Sequence, residues 1–361
     1  MKVGNQNEFP DLPRLLSDVK TGKCALILGP EIFQVNGQPL NTYVRNSLLE
    51  KFPDQIAAYY ERDGFFLLRN PDDKPEIQDE IRYLFQNMDI DEALLRKIIE
   101  IPFSVVLSVN PDTFLRDLSF HYGLPHRFSW FDAGKETDVD LPEADPDQLK
   151  QRVPLYYNLL GCVEKQSTLI LDYDDLFRLF QGLIAAPKLP GRLLVRLAET
   201  TSYLFLGFQF DRWHTQLLLR LLDVKRAARR FALQSVVPKE AGGEAFLVNQ
   251  FRIKFLGAET HLLDQLHTAF ADEGNLRAVN SADTPAKEAI VRLLQKGNTE
   301  QAIQKLIEVA KGTPVDQAAT GLSARYQNWK TEKNGGRLDS RDLFREMNLI
   351  NDAILSFAKE L

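Results

Sequence analysis

Hydrophobic residues follow two alternating patterns along the chain, which predict helices and strands in turn. A helical spacing begins at Leu12 and ends at Gly22, and another covers residues 41–52. Short apolar runs, typical of buried strands, lie between the helical stretches. The predicted strands lie in Cys24–Gly29, Phe103–Val109, Ser167–Tyr173, Ser202–Phe208, Phe231–Val237 and Arg252–Gly257. This alternation predicts an α/β fold, with an open, mostly parallel, Rossmann-like sheet and flanking helices.

Ligands of such sheets bind beyond the carboxyl ends of the strands. Four loops in these positions contain the residues Gly29, Asn110, Gly161 and Gly207. We therefore expect any chemistry of this protein to lie at this edge of the sheet.

The strand pattern stops near residue 272, and only helical patterns continue to the C-terminus. We predict an α/β domain over residues 1–272 and a polar linker with Gly and Pro over 273–285. Residues 286–361 are predicted to form a small bundle of about four helices. One face of its last helix carries Leu343, Met347, Ile350, Ile354 and Phe357.

Composition narrows the class of function. The chain has 361 residues, and 44 Lys and Arg against 50 Asp and Glu give a net charge of -6. This acidity argues against nucleic acid as a partner, and the basic run from Lys225 to Arg230 is interpreted as a solvated helix face. The sequence has no apolar segment typical of a secretory signal or membrane span, so we expect a cytoplasmic protein with no membrane partner. Cys24 and Cys162, in apolar runs, are expected to be buried thiols.

Four segments carry motifs at the ends of predicted strands. They are "LILGPEIFQVNGQPL", "SVNPDTFL", the run "VPLYYNLLGCVE" with "STLILDYDDLF", and "LFLGFQFDRWHTQLLLRLL". In this order they resemble the sirtuin-like domains of prokaryotic defence systems, over roughly residues 10–270.

The resemblance implies NAD, or an NAD-derived nucleotide, as cofactor. It implies these cofactor-binding residues: Gly29, Glu31, Gly37, Asn110, Gly161, Gly207 and Asp211. Asn110 and Asp112 keep side chains of the family's second motif and are candidate catalytic residues, with His126 as a candidate relocated base. No grouping of His, Cys, Asp and Glu has the spacing of metal ligands, so no metal is expected.

Three substitutions in these motifs count against turnover. The family's turn reads Gly-Ala-Gly, whereas this chain has Gly29-Pro30-Glu31. Proline lacks an N–H donor for the pyrophosphate, and the Glu31 carboxylate adds negative charge beside it. Leu160 stands where the family has histidine, and leucine cannot act as a base.

The role of the second motif stays open. Asn110 could bond a ribose hydroxyl or water while Asp112 holds the loop, or both could occur in an Asn-Pro-Asp turn for backbone reasons. His121 and His126 follow in sequence and could reach the same cleft, or they could be ordinary loop histidines.

The last 76 residues resemble effector-associated helical domains of bacterial conflict systems, through "EAIVRLLQKGNTEQAIQKLIEVA", "GLSARYQNW" and "FREMNLINDAILSFAKEL". The resemblance implies an adaptor that pairs with a like domain on another protein; a helical cap that packs only on itself is the alternative. Our leading hypothesis is a degenerate sirtuin-like binding or assembly module in antiphage signalling, able to form a homo-oligomer. An active NAD hydrolase and a structural scaffold are the alternatives.

Overall fold

The computed structural model describes most of the chain. The described residues are 11–132, 149, 151–185, 189–221, 229–233, 242–256, 262–277, 290–291, 293–294, 297–312, 315–335 and 340–360. The chain divides into two compact units, one of residues 1–120 with 124–278 and one of residues 121–123 with 279–361. This division falls inside the predicted linker, and the predicted domain boundaries themselves stay a prediction.

The first unit contains eleven strands and ten α-helices in its described residues. The strands are β1 (Cys24–Leu28), β2 (Gln34–Val35), β3 (Gln38–Pro39), β4 (Ile56–Tyr60), β5 (Phe65–Leu68), β6 (Val105–Ser108), β7 (Arg127–Trp130), β8 (Leu155–Asn158), β9 (Ser202–Leu206), β10 (Arg229–Leu233) and β11 (Ile253–Leu256). The helices are α1 (Leu12–Lys20), α2 (Leu40–Lys51), α3 (Lys74–Asn87), α4 (Glu92–Glu100), α5 (Phe114–His121), α6 (Tyr173–Ala185), α7 (Gly191–Glu199), α8 (Trp213–Leu221), α9 (Gly243–Phe251) and α10 (Leu262–Asp272).

Seven strands form one parallel sheet, in the order β11-β10-β9-β1-β6-β8-β7. β1 and β9 are buried along their whole length, as expected for central strands covered on both faces. The predicted α/β class with a parallel, Rossmann-like sheet is thus confirmed. Strand order reverses between β1 and β9, because the chain builds the β6 side first and then crosses over. The carboxyl ends of these two strands form the switch point at which such sheets bind ligands.

The predicted strand over Ser167–Tyr173 is wrong. The chain forms a 3-10 turn at Gln166–Thr168, continues extended outside the sheet, and enters α6 at Tyr173. Leu169 and Leu171 are nevertheless buried, in a second core cluster. The apolar pattern therefore predicted the burial of this segment correctly but its pairing in the sheet incorrectly. Periodicity alone does not distinguish a buried strand from another kind of buried segment.

The interpretation of the basic run as a helix face is also wrong for the two residues of the run that the structure describes. Arg229 and Arg230 begin β10, while Lys225 and Arg226 lie outside the described residues. Arg229 pairs with Asp18 at 2.8 Å, and Arg230 is 1% exposed and donates to the carbonyl of Phe251. Arg229 is paired and Arg230 is buried, so neither presents a basic patch.

The second unit has three helices with defined bounds among its described residues. They are α11 (Thr299–Ala310), α12 (Asp316–Gly335) and α13 (Ser340–Glu360). Ile303, Leu306, Leu322, Ile350 and Ile354 are buried together in one apolar core. The predicted all-α C-terminal unit is confirmed. No helix among the described residues of either unit is long and apolar enough to cross a membrane.

Candidate functional site

The glycine-containing turn after β1 lies at the switch point of the sheet. Gly29 leads into a 3-10 turn over Pro30–Ile32. The N–H of Gly29 donates to the carbonyl of Leu206 at 2.8 Å, and the N–H of Glu31 donates to the carbonyl of Gly207 at 3.1 Å. Pro30 has no N–H. The three successive positions Gly29, Pro30 and Glu31 therefore offer no free N–H donor to an anion, because the last residue of β9 and the first residue after it accept both available N–H groups.

Close contact between two glycines makes these hydrogen bonds possible. A Cβ on Gly29 would lie 2.0 Å from the carbonyl oxygen of Gly207, and a Cβ on Gly207 would lie 2.2 Å from the nitrogen of Ile32. Gly207 also has φ +63°, in the left-handed region that favours glycine. Gly29 and Gly207, both predicted to bind a cofactor, are thus required where they stand to pack one loop on the other.

Glu31 lies on the exposed side of the turn. Its carboxylate accepts a hydrogen bond from Nε2 of Gln209, and its side chain therefore extends over the loop after β9. A carboxylate at this rim disfavours a second anion beside it.

Asn110 and Asp112 follow the carboxyl end of β6 and are almost completely buried, at 3% and 5% exposure. The N–H of Phe114 donates to Oδ1 of Asp112 at 3.0 Å, which starts α5. Asn158, at the end of β8, donates from Nδ2 to the Asp112 carbonyl at 2.6 Å. The loop is thus fixed from both sides. Nδ2 of Asn110 is buried and has no hydrogen-bond partner within the described part of the protein.

Burial raises the pKa of Asp112 to about 7, and the backbone N–H of Phe114 offsets this only in part. Oδ2 of this carboxyl is buried, again with no partner among the described residues. A protonated Asp112 is therefore favoured over its anion through the acid range.

Leu160 lies beyond the carboxyl end of β8 and lines a cavity of about 60 Å³, which we call the apolar cavity. Its walls are mainly apolar, with Pro30, Leu176, Phe180 and Phe208, and they also include the polar residues Gln209, Arg212, His214 and Thr215. Leu160 also packs against the main hydrophobic core. The side chain at the position of the family's histidine is thus part of an apolar wall, where it has no proton to exchange.

One imidazole, that of His214 in α8, lines this cavity. His214 is 7% exposed, and its ring lies 5.0 Å from that of Phe65. Burial, with a smaller effect of Arg212, lowers the pKa of His214 to about 4. Such an imidazole is a weak base at neutral pH. In the sequence, Trp213 directly precedes His214 and Leu217–Leu219 follow in the same helix, and these apolar neighbours could have indicated that His214 is buried.

The structure does not bring His126 to Asn110. His126 immediately precedes β7, at the amino end of the sheet, whereas Asn110 follows the carboxyl end of β6. In the register of the parallel sheet, Arg127 is level with Leu155, and Leu155 is level with Val105. Asn110 therefore lies five residues beyond this level in the direction of the strands, which corresponds to about 16 Å. Nδ1 of His126 bonds the carbonyl of Leu124 at 2.9 Å, and its ring stacks on Tyr156. The expectation of a relocated base at the cleft is therefore corrected.

The structure also shows where the other residues predicted to bind a cofactor lie. Gly37, at φ +75°, follows Asn36 in the turn of the β2–β3 hairpin. A Cβ on Gly161 would lie 2.1 Å from the carbonyl oxygen of Thr168, so this glycine serves the turn after β8. Asp211 is exposed just before α8. No group of three His, Cys, Asp or Glu among the described residues is placed to hold a metal ion.

The fold is thus an α/β domain with a strand-order switch point, followed by a helical domain. Residues 104–249 match the model of the SIR2-like domain, and residues 285–361 match effector-associated domain 11. The chain therefore combines a SIR2-like domain with a C-terminal effector-associated domain. The first matched region begins at β6, so the turn at Gly29 lies outside it. A comparison with curated proteins gives no match.

These two domains define a coarse function. SIR2-like domains are in general related to NAD, and effector-associated domains indicate protein–protein interaction in a signalling system. Together they indicate a module of a conflict or defence system.

The glycine contact at the switch point predicts unequal effects of two alanine substitutions. Gly207→Ala should lower the free energy of unfolding by at least about 2 kcal/mol more than Gly37→Ala, because both strain a positive φ but only position 207 lacks room for a Cβ. Urea denaturation of both variants measures the difference. Equal destabilisation would show that the two loops are not in close contact.

The buried Asp112 carboxyl predicts a pH-dependent stability difference. Its folded pKa lies above its ordinary value of 3.8, so the stability it supports is complete below about pH 4 and is lost as pH rises to about 7. Asp112→Asn keeps an oxygen for the Phe114 N–H and removes the charge. Relative to Asp112→Asn, the wild type should lose up to about 4 kcal/mol of unfolding free energy between pH 4 and pH 7.

Denaturation of both proteins across this pH range measures that difference. Asp54→Asn, which removes an exposed carboxylate, is the matched control and should follow the wild type. A difference between Asp112→Asn and wild type that stays constant with pH would contradict the assigned burial.

Proposed function

We propose that this protein is a SIR2-like module that does not turn over NAD and that acts in antiphage or conflict signalling through its effector-associated domain. The observation that carries the proposal is the hydrogen bond from the N–H of Glu31 to the carbonyl of Gly207, with Pro30 before it. The phosphate-binding turn of a dinucleotide site needs free N–H groups at this place.

The residues present do not fit the phosphates of NAD. The N–H groups of Gly29 and Glu31 are engaged within the protein, and the Glu31 carboxylate stands at the rim of the turn. One like-charge contact at about 4 Å costs on the order of 4 kcal/mol at an effective dielectric of 20. The apolar cavity, at about 60 Å³, is also far smaller than the roughly 300–1,000 Å³ of cofactor pockets. We therefore derive no chemical step through NAD.

Among the described residues at the cleft, no histidine supplies a general base for neutral pH, and the Asp112 carboxyl, whose pKa is raised to about 7, is only 5% exposed and so closed to a substrate. Leu160 cannot titrate, burial keeps His214 a weak base, and His126 lies at the other end of the sheet. Loss of general-base assistance alone reduces a rate by about 10²- to 10⁴-fold. Weak phosphate binding and a missing base both favour a binding or assembly role.

The effector-associated domain supplies the partner in this proposal. Its buried apolar core, formed by α11, α12 and α13, makes it a folded unit with its own interior. A second protein that carries a like domain is the proposed partner, and the cytoplasm is the proposed location. The SIR2-like domain then provides assembly, or holds a nucleotide fragment without phosphates near Glu31.

Purified full-length protein incubated with NAD should release nicotinamide no faster than buffer alone, as measured by chromatography of the products. The physical reason is the engaged glycine turn together with the absence of an accessible base among the described residues of the cleft. Asn110→Ala should give the same background rate. Release above background that Asn110→Ala abolishes would overturn the proposal and establish an NAD hydrolase.

Calorimetry with NAD, ADP-ribose and adenosine on the same protein separates the two roles of the SIR2-like domain. We expect no heat of binding for NAD and ADP-ribose at concentrations up to about 1 mM, which corresponds to a binding free energy weaker than about -4.1 kcal/mol. Binding of adenosine alone would identify a nucleotide-fragment binder, and no binding an assembly scaffold. Tight binding of ADP-ribose would contradict the engaged phosphate turn.

A further inference from the structure

A short segment after α10, residues 273–277, ends in a buried arginine, and we call this segment the strap. Its first four residues are exposed or half-buried, whereas Arg277 is only 2% exposed. The strap leaves α10 through Gly274, at φ +64°, and the N–H of Asn275 donates to the carbonyl of Phe270 at 2.7 Å. Glu273 also pairs with Lys20, but both side chains of this pair are partly exposed, which makes it weak. Arg277 is therefore the one buried attachment of the strap.

Arg277 is held by backbone carbonyl groups. Its Nη1 donates to the carbonyl of Ile99 at 3.0 Å, and its Nη2 donates to the carbonyl of Pro125 at 2.5 Å. Its backbone N–H donates to the carbonyl of Glu100 at 2.8 Å. Ile99 and Glu100 are the last two residues of α4, and the final carbonyls of a helix have no acceptor role inside it and carry its negative dipole end. The end of α4 thus takes the place that a carboxylate has in an ordinary ion pair.

These contacts lie at the amino edge of the sheet. The end of α4 leads into β6, and Pro125 lies two residues before β7. The hydroxyl of Tyr156, the second residue of β8, lies 3.5 Å from Nη1 of Arg277. The contact between Gly29 and Gly207 lies at the opposite, carboxyl edge, after β1 and β9. The strap is therefore attached at the edge of the sheet that faces away from the switch point.

The attachment of Arg277 is incomplete in a way that favours local opening. Its hydrogen-bond acceptors are neutral carbonyl and hydroxyl oxygens, and its Nε is buried with no partner among the described residues. Burying a guanidinium costs desolvation free energy, which offsets part of what these hydrogen bonds contribute. An exposed strap with a single attachment of this kind opens at a lower free energy than the core beneath it.

We propose that Arg277 latches the strap onto the SIR2-like domain and that this latch opens while the domain stays folded. The second unit begins at residue 279, directly after the strap. Opening adds the five strap residues, roughly 17 Å of extended chain, to the tether of the effector-associated domain. The latch thereby sets the reach of that domain, and with it the effective concentration at which it meets a partner. It acts at the amino edge and does not depend on whether the cleft turns over NAD.

Limited proteolysis of the full-length chain with trypsin tests the latch, because trypsin cleaves after Arg or Lys only where the chain is open. Arg277→Lys keeps the charge and the cleavage site but loses the planar fork that reaches two carbonyls. Cleavage after position 277 should be slow in the wild type and at least about tenfold faster in Arg277→Lys, because it follows the population of the open strap. Mass spectrometry locates each cut. Each rate is divided by that of a peptide of residues 272–283 with the same residue at position 277.

Two controls separate the latch from the fold as a whole. Arg127→Lys changes an exposed arginine at the same edge of the sheet and should leave cleavage after Arg277 as it is in the wild type. Arg152 is 6% exposed and bonds the carbonyls of Val19 and Pro102, so cleavage after Arg152 reports opening of the whole SIR2-like domain. In Arg277→Lys this second cleavage should stay as slow as in the wild type.

Each other outcome overturns the proposal. A wild type that is cut after Arg277 as fast as the peptide has no closed latch. An Arg277→Lys variant that resists trypsin as the wild type does, or an Arg127→Lys variant that is cut equally fast, shows that the guanidinium of Arg277 is not what holds the strap. Faster cleavage after Arg152 together with position 277 shows that Arg277 supports the whole domain and does not open independently of it.

Discussion

The contact between the turn after β1 and the loop after β9 is the constraint on which the rest of the site depends. Gly29 and Gly207 lie so close that neither position has room for a Cβ. This approach joins the two halves of the sheet at the place where its strand order reverses. The same backbone groups that hold the halves together are the ones a dinucleotide would need, so here cohesion of the fold and phosphate binding compete for the same N–H donors.

On the β6–β8 side of this contact, the cleft has been filled in two different ways. On the β8 side, Leu160 continues the hydrophobic core to the rim of the sheet. On the β6 side, Asp112 and Asn158 use their polar groups to fix a loop and a helix start. Apolar packing and internal hydrogen bonds thus occupy positions at which a catalytic site would keep groups accessible to a substrate.

Sequence patterns predicted the parallel sheet and the loops at its carboxyl edge, because continuous apolar runs such as Cys24–Leu28 report burial on both faces. They failed at Ser167–Tyr173, where an equally apolar run is buried without strand pairing. They also failed at His126, since nearness in sequence to Asn110 does not tell at which end of a strand a residue lies. The engaged N–H of Glu31 was beyond sequence reasoning, because its acceptor is 176 residues away and only the sheet order brings the two together.

The surroundings of Leu160 also determine whether a single substitution could restore a base at this position. His214 lines the same cavity, and burial there already holds the pKa of an imidazole at about 4. A histidine introduced at position 160 would enter that same medium and would be held in its neutral, weakly basic form. A single Leu160→His substitution therefore does not return a working base to this pocket, although Gln209, Arg212 and Thr215 also line it.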